Sequence, residues 1–200
     1  MTLSFSVNWD YRCPFARIAH EHLLEGLRDG ADWDVTFVPF CLGQAHVEPG
    51  QPDIWDTPDL DTGLLALQAA VVIRDTMPDQ FFAMHHAFFE ARHAHGAQLR
   101  DEKTVRTILQ DGGVDADVVF AEIATGNPLA KVRAEHEALV ANNEVWGSPT
   151  FIANDKAAFV RLMASPGGDV ALARRTIERI IDMLTDWPEL NEFKHTQVSR

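Results

Sequence analysis

Two cysteines, nine histidines and a single tyrosine are the side chains with the widest chemical range in this sequence. Cys13 has the most informative surroundings. It stands in Val7-Asn8-Trp9-Asp10-Tyr11-Arg12-Cys13-Pro14-Phe15-Ala16. To its left, Leu3, Phe5 and Val7 alternate with Ser4 and Ser6, which predicts a strand. To its right, Pro14 suits a first helical turn, and Phe15, Ile18, Ala19, Leu23 and Leu27 recur at helical spacing. Cys13 is therefore expected at the amino end of a helix. The unpaired N–H groups and the dipole there favour a thiolate, and can bring a cysteine from about 8.5 into roughly the 3.5–7.5 range. A nearby Arg12 head would add to the effect. The expectation is a reactive thiolate at position 13; the competing reading is a buried cysteine acting as a small hydrophobe.

The second half of a site has to come from elsewhere in the chain. After Gly30 and Asp32, residues 34–40 alternate like a second strand, and strand–helix–strand spacing predicts a parallel βαβ unit. Both strands then end on one edge, which brings Phe40-Cys41-Leu42 beside Cys13. Residues 43–60 are rich in Gly, Pro and Asp and read as a loop. Residues 61–143 change character. An apolar helix carries Leu64, Leu67 and Ile73, and a Phe-rich helix starts at Pro78. Asp101 is the expected cap of the next helix, a short one covers 114–123, and Asn127-Pro128 is the expected cap and start of the last. Strand signal returns at Pro149–Ala153, turns at Asn154-Asp155 and pairs back through Ala158–Leu162. Asp169 caps a final amphipathic helix.

Composition sets the outer limits. The 200 residues are 46% hydrophobic and 24% charged, ordinary for a globular chain. A net charge of −13 argues against nucleic acid and against an anionic membrane surface as partners. No apolar run reaches the length of a membrane span. Met1 leads into a strand-like segment rather than a basic then apolar leader, so no secretory signal is expected. Two cysteines in that setting predict a reducing, cytoplasmic compartment and no disulfide framework.

Trp146-Gly147-Ser148-Pro149-Thr150-Phe151 places a proline at the first residue of a strand, where a missing N–H is tolerated. A strand–Cys-Pro–helix start combined with this late small–Pro–apolar strand start resembles the thioredoxin superfamily. With a helical block between the halves, the resemblance is to its DsbA-like branch. Within that branch it is to the cytoplasmic FrnE-like and actinobacterial mycothiol-linked members. The resemblance implies an α/β thioredoxin-like fold with an all-helical insertion: residues 1–60 and 144–200 as the thioredoxin-like domain, 61–143 as the insertion. It also implies a cis Pro149 beside the reacting sulfur, with the Ser148 main chain offered to a ligand.

Carried over onto this sequence, Cys13 falls on the attacking thiol and Pro14 and Phe15 on the two intervening positions. Trp146, Ser148 and Pro149 fall in the ligand-binding loop. Ala16 is a departure, because redox members with two active cysteines place the resolving thiol there. Three chemistries follow, in order of preference. The first is thiol–disulfide exchange at Cys13, with mycothiol or glutathione as co-substrate resolving the mixed disulfide and no tightly bound cofactor. The second resembles kappa-class glutathione transferases and 2-hydroxychromene-2-carboxylate isomerases, in which the site holds a cofactor thiol for an electrophilic substrate. The third is a non-catalytic binding module. Such relatives often pair, so a homodimer is among the expected states.

The other candidates have plainer expected roles. Cys41 is expected to be a buried apolar cysteine, with a resolving thiol as the alternative. His85-His86 and His93-x-His95 are expected on the surface and the insertion helices, and not as a metal clamp, because residues one or two apart do not share a helix face. His20 and His22 lie deep in the first helix, away from Cys13, and neither is assigned as a base. Trp9 and Trp146 stand as cleft-lining or packing aromatics. Tyr11 stands as a junction residue, with a hydroxyl donor to substrate as the alternative.

Overall fold

β1 (Leu3–Trp9) pairs in parallel with β2 (Trp33–Pro39), and α1 (Pro14–Arg28) crosses between them. The computed structural model describes residues 2–196; Met1 and residues 197–200, the two ends of the expected thioredoxin-like domain, lie outside the described residues. β3 (Thr150–Ala153) runs antiparallel to β1, and β4 (Lys156–Phe159) antiparallel to β3. The sheet order is β2-β1-β3-β4. Asn154 and Asp155 both have positive φ, the conformation a two-residue hairpin turn demands. The partner strand starts at Lys156, earlier than the apolar pattern from Ala158 suggests, because so short a turn lets pairing begin at once.

Between the halves lie α2 (Leu42–Ala45), α3 (Leu64–Thr76), α4 (Pro78–His93), α5 (Glu102–Asp111), α6 (Ala116–Ala124) and α7 (Asn127–Asn143); α8 (Val170–Asp186) closes the order. Asp101 and Asp169 accept hydrogen bonds from Thr104 N and Leu172 N as N-caps, each satisfying a helix N–H that has no partner within the helix. Asn127 is not a cap: it is the first residue of α7, behind Gly126 in a left-handed conformation. The stretch 43–60 is less irregular than its composition suggests, since α2 and two 3-10 turns, Ile54–Asp56 and Pro58–Leu60, run through it.

The helical insertion shares one buried cluster with the sheet: Phe5, Val7 and Trp9 of β1 join Leu64, Leu67, Phe88 and Val132. The buried face of α1 is set by Ala16, Ala19 and Leu23, while Phe15 and Ile18 sit half-exposed beside it. Small residues let α1 pack closely, and α8 packs against it. β2 is an outer strand. Its Phe37 carbonyl accepts from Arg74 Nη1 at 2.8 Å, and Arg74 is held by Glu135 in a two-point pair at 2.7 and 2.8 Å. Pro39 further blunts that edge. An open groove of about 600 Å³ lies there, lined by Val35, Phe37, Phe82 and Leu139 among others, and does not include Cys13. Among the described residues no helix is long and apolar enough to cross a membrane.

The core contains histidines that burial keeps neutral. His20 and His136 are both pushed down to about 4, chiefly by loss of water around the ring. An unfolded chain protonates these rings below about pH 6.5, and the folded chain does not until about 4. Their contribution to stability is therefore present above pH ~6.5 and drains away as pH falls. Between about pH 7 and pH 5 the expected loss is about 2 kcal/mol per ring. Urea titrations at the two pH values should show it as a lower midpoint; equal midpoints would mean that the rings are not held neutral.

Candidate active site

Cys13 is the N-cap of α1. Its sulfur accepts from Ala16 N at 3.4 Å, and its S–H donates to the Ser148 carbonyl at 3.0 Å. The Ser148–Pro149 peptide bond is cis. Two segments 135 residues apart thus meet at one sulfur. Asn8, a polar residue in the buried end of β1, makes the junction. Its Nδ2 donates to the Gly147 carbonyl at 2.9 Å and its Oδ1 accepts from Thr150 N at 2.7 Å. Ser148 Oγ donates to the Asn8 carbonyl at 3.3 Å. The loop is therefore bonded to β1 through both its main chain and a side chain.

The expected low-pKa thiolate is not what the surroundings favour. Burial pushes the Cys13 thiol above its ordinary value, and the negative charge of Asp10 pushes it further the same way. The N–H groups of Ala16 and Phe15 pull downward and do not win. Arg12 does not help, because its guanidinium is already committed. It meets Asp10 Oδ2 at 3.0 Å and Asp61 Oδ2 at 3.1 Å, and both carboxylates are buried. Asp10 also accepts from Arg12 N and Leu42 N at 2.8 Å, and Asp61 from Gly63 N at 2.7 Å and Leu64 N at 2.8 Å. This knot ties the ends of β1 and β2 to the start of α3. Gly43 lies flush against it: a Cβ there would fall 1.9 Å from Asp61 Oδ2.

Cys41 occupies the equivalent place before α2, fully buried, with Asp61 Oδ2 at 3.9 Å from its sulfur. Burial and the two aspartates push its thiol up to about 12. Its backbone N–H donates to His136 Nδ1 at 3.2 Å, so α7 holds that turn.

Of the other expected site residues, Pro14 and Phe15 open α1, with the Arg161 guanidinium 5.4 Å from the Phe15 ring centre. Trp146 is 66% exposed and packs on Phe159, ring centres 4.5 Å apart. Cys13 itself is buried, next in sequence but one to the half-exposed Phe15, and Trp146 stands two residues before the Ser148 carbonyl that meets its sulfur. Trp9 lines no cleft; it is fully buried against Phe81 and His85.

The histidines depart most from expectation. His20, His22, His85 and His136 are buried. Tyr11 Oη bonds His85 Nδ1 at 2.8 Å, His85 Nε2 bonds His20 Nδ1 at 2.8 Å, and His20 Nε2 bonds the Asn8 carbonyl at 3.1 Å. His93 Nε2 donates to the Tyr11 carbonyl at 2.9 Å. His20 and His85 had one signal in the sequence: each is a polar residue in phase with an apolar stripe, His85 lying four residues after Phe81 and four before Phe89, whereas Asn8 falls in the polar phase of Ser4 and Ser6 and had none.

Residues 6–169 match the DSBA-like thioredoxin domain. The chain belongs to that family. No curated protein matches the sequence. Among solved structures, the fold is similar to the cytosolic disulfide reductase DsbM from Pseudomonas aeruginosa (19% identity, 90% of this chain and 100% of that one, TM-score 0.59). It is also similar to a 2-hydroxychromene-2-carboxylate isomerase (14%, 92% and 98%, TM-score 0.63) and to BdbD from Bacillus subtilis (15%, 88% and 85%, TM-score 0.59). At these identities the likeness is one of fold.

Two outcomes test this geometry. The rate of Cys13 alkylation should climb about tenfold per pH unit through the neutral range and into alkali; a plateau below about pH 7 would reveal a stabilised thiolate instead. Asn8→Ala should destabilise the protein by about 1–3 kcal/mol for the buried Thr150 N–H alone, read as a fall in melting temperature. A variant as stable as the parent would show that the loop holds its place without Asn8.

Proposed function

We propose that the chain is a thiol–disulfide exchange protein in which Cys13 is the only reacting protein thiol. The carrying observation is the Cys13 sulfur 3.0 Å from the main-chain carbonyl beside the cis Pro149. In the first step, Cys13 loses its proton to solvent and its thiolate attacks one sulfur of a disulfide substrate. The substrate S–S bond breaks, a Cys13–substrate S–S bond forms, and the other half leaves as a thiolate. In the second, the thiolate of a small thiol attacks that mixed disulfide, pairs with the substrate half and releases Cys13. Mycothiol and glutathione are the co-substrates proposed, and a reducing cytoplasm the compartment. Ala16 stands at the position i+3, one turn into α1, and Cys41 points to Asp61; both facts favour an external resolving thiol.

One observation favours a second reading. Burial favours the protonated form of Cys13, and its S–H lies on the Ser148 carbonyl. Turned from that carbonyl to a bound ligand, the same donor would steady the sulfur of a cofactor thiol in a transferase or isomerase. Cys13→Ser separates the two, since serine keeps a donor and loses the nucleophile. Incubated with a glutathione or mycothiol mixed disulfide, the parent should form a covalent adduct seen by intact mass, and Cys13→Ser none. No adduct on the parent, with small-thiol binding retained by Cys13→Ser, would favour the cofactor-holding role. In the exchange reading, Ala16→Cys should convert the site to a dithiol: oxidation would remove both thiols within one chain, and adducts would resolve without added small thiol.

A further inference from the structure

The buried histidine chain runs in one direction only. The Asn8 carbonyl can only accept, so His20 Nε2 carries the proton of that bond. A neutral ring has one N–H, so His20 Nδ1 accepts, and the proton between the rings belongs to His85 Nε2. His85 Nδ1 then accepts from the Tyr11 hydroxyl. Tyr11, His20, His85 and Asn8 have no exposed surface, and loss of water drives both rings away from the charged form. Both ring nitrogens of His85 are thus used. One arm reaches Tyr11, two residues before Cys13. The other runs through His20 to the Asn8 carbonyl, which also receives the Ser148 hydroxyl. Ser148 in turn supplies the carbonyl that meets the Cys13 sulfur.

We propose that His85, from the helical insertion, is a positioning residue for Cys13: it fixes the turn before the sulfur and the proline loop facing it as one rigid frame. The inference rests on Cys13 being the reacting atom. His85 touches neither the sulfur nor its ligand; it acts through Tyr11 on one side and through His20 and Asn8 on the other. The groups around it set its state. His20 and Tyr11 face it directly, and His86 lies beside it on the same helix. The rings of Trp9, Phe37, Phe81 and Phe89 pack against it. Among the described residues no carboxylate bonds either ring; the Asn8 carbonyl favours a second proton on His20, and loss of water outweighs it.

The test reads the frame and the sulfur separately. Long-range nitrogen–proton NMR of the histidines in the intact protein should show His20 and His85 both neutral and protonated at Nε2. An Nδ1–H ring or a charged ring at either position overturns the directional chain. Cys13 reactivity is followed by peptide-resolved iodoacetamide labelling against pH, which does not require any exchange activity. In His85→Phe the aromatic volume stays and both bonds go. The sulfur should become less enclosed, its labelling midpoint should move toward that of a free thiol, and labelling at about pH 7.5 should rise about threefold or more. Tyr11→Phe keeps every ring in place, removes one arm and should shift the profile part of the way, so the inference stays testable if His85→Phe fails to fold. If the parent forms mixed disulfides, their formation should slow about tenfold or more in His85→Phe, as loss of orientation predicts. A Cys13 labelling profile unchanged in folded His85→Phe, or in Tyr11→Phe, overturns the positioning role. Loss of exchange in the parent with these profiles still shifted would remove the exchange reading and leave the positioning role standing.

Discussion

A single side-chain amide joins the two halves of the site. β1 and β3 share a short antiparallel ladder, Ser6 with Ile152 and Val7 with Phe151, which ends before the loop begins. Beyond it, Asn8 continues the pairing with its side chain, receiving Thr150 N–H and donating to the Gly147 carbonyl. Backbone groups buried at a sheet end need partners, and an unpaired one costs about 1–3 kcal/mol. The amide supplies both a donor and an acceptor in one planar group. That is why a polar residue is retained between Val7 and Trp9, where the strand's burial would otherwise favour an apolar one. The rest of the site inherits its geometry: the Ser148 carbonyl faces Cys13 because Gly147 and Thr150 are pinned on either side of it.

The electrostatics run against the simplest picture of an activated cysteine. A helix amino end offers N–H groups, and Cys13 takes one from Ala16. The nearest cation, Arg12, is spent on a structural task, holding Asp10 and Asp61 together in the buried knot that fastens β1, β2 and α3. Two carboxylates and one guanidinium leave the knot with an excess of negative charge, which opposes a thiolate at both Cys13 and Cys41. A buried pair of this kind holds position well because removing either partner strands a charge. Here structural fixation and thiol activation draw on the same arginine, and fixation takes it.

The helical insertion contributes to the site through bonds to the turns that carry its residues. α4 bonds both the hydroxyl and the carbonyl of Tyr11, through His85 and His93, and α7 bonds the Cys41 backbone through His136. Each contact stabilises one of the two turns that leave the parallel strands. These bonds add to those the turns make through Asp10, and the insertion acts as their outer wall.

Much of the fold was legible because it follows from local rules. Alternation in residues 3–7 and 34–40 gave parallel strands, the Cys-Pro junction gave a helix cap, and Asp101, Asp169 and Asn154-Asp155 announced caps and a turn. The meeting of Cys13 with Ser148 was legible only through the resemblance, since no local pattern reports a contact across 135 residues. The direction in which its surroundings push the Cys13 thiol was not legible for a related reason. Helix position is a local property, but burial and the commitment of Arg12 to Asp61 are not. The histidines are the clearest case. Sequence spacing showed that His85 and His86 cannot share a face; it did not show that His85 would be sealed between Tyr11 and His20. The sequence by itself determined the main strands and helices and most of their order, though not α2 or the start of β4. Only tertiary packing decided which polar groups lose their water, and that loss sets which nitrogen holds a proton and how readily Cys13 gives one up.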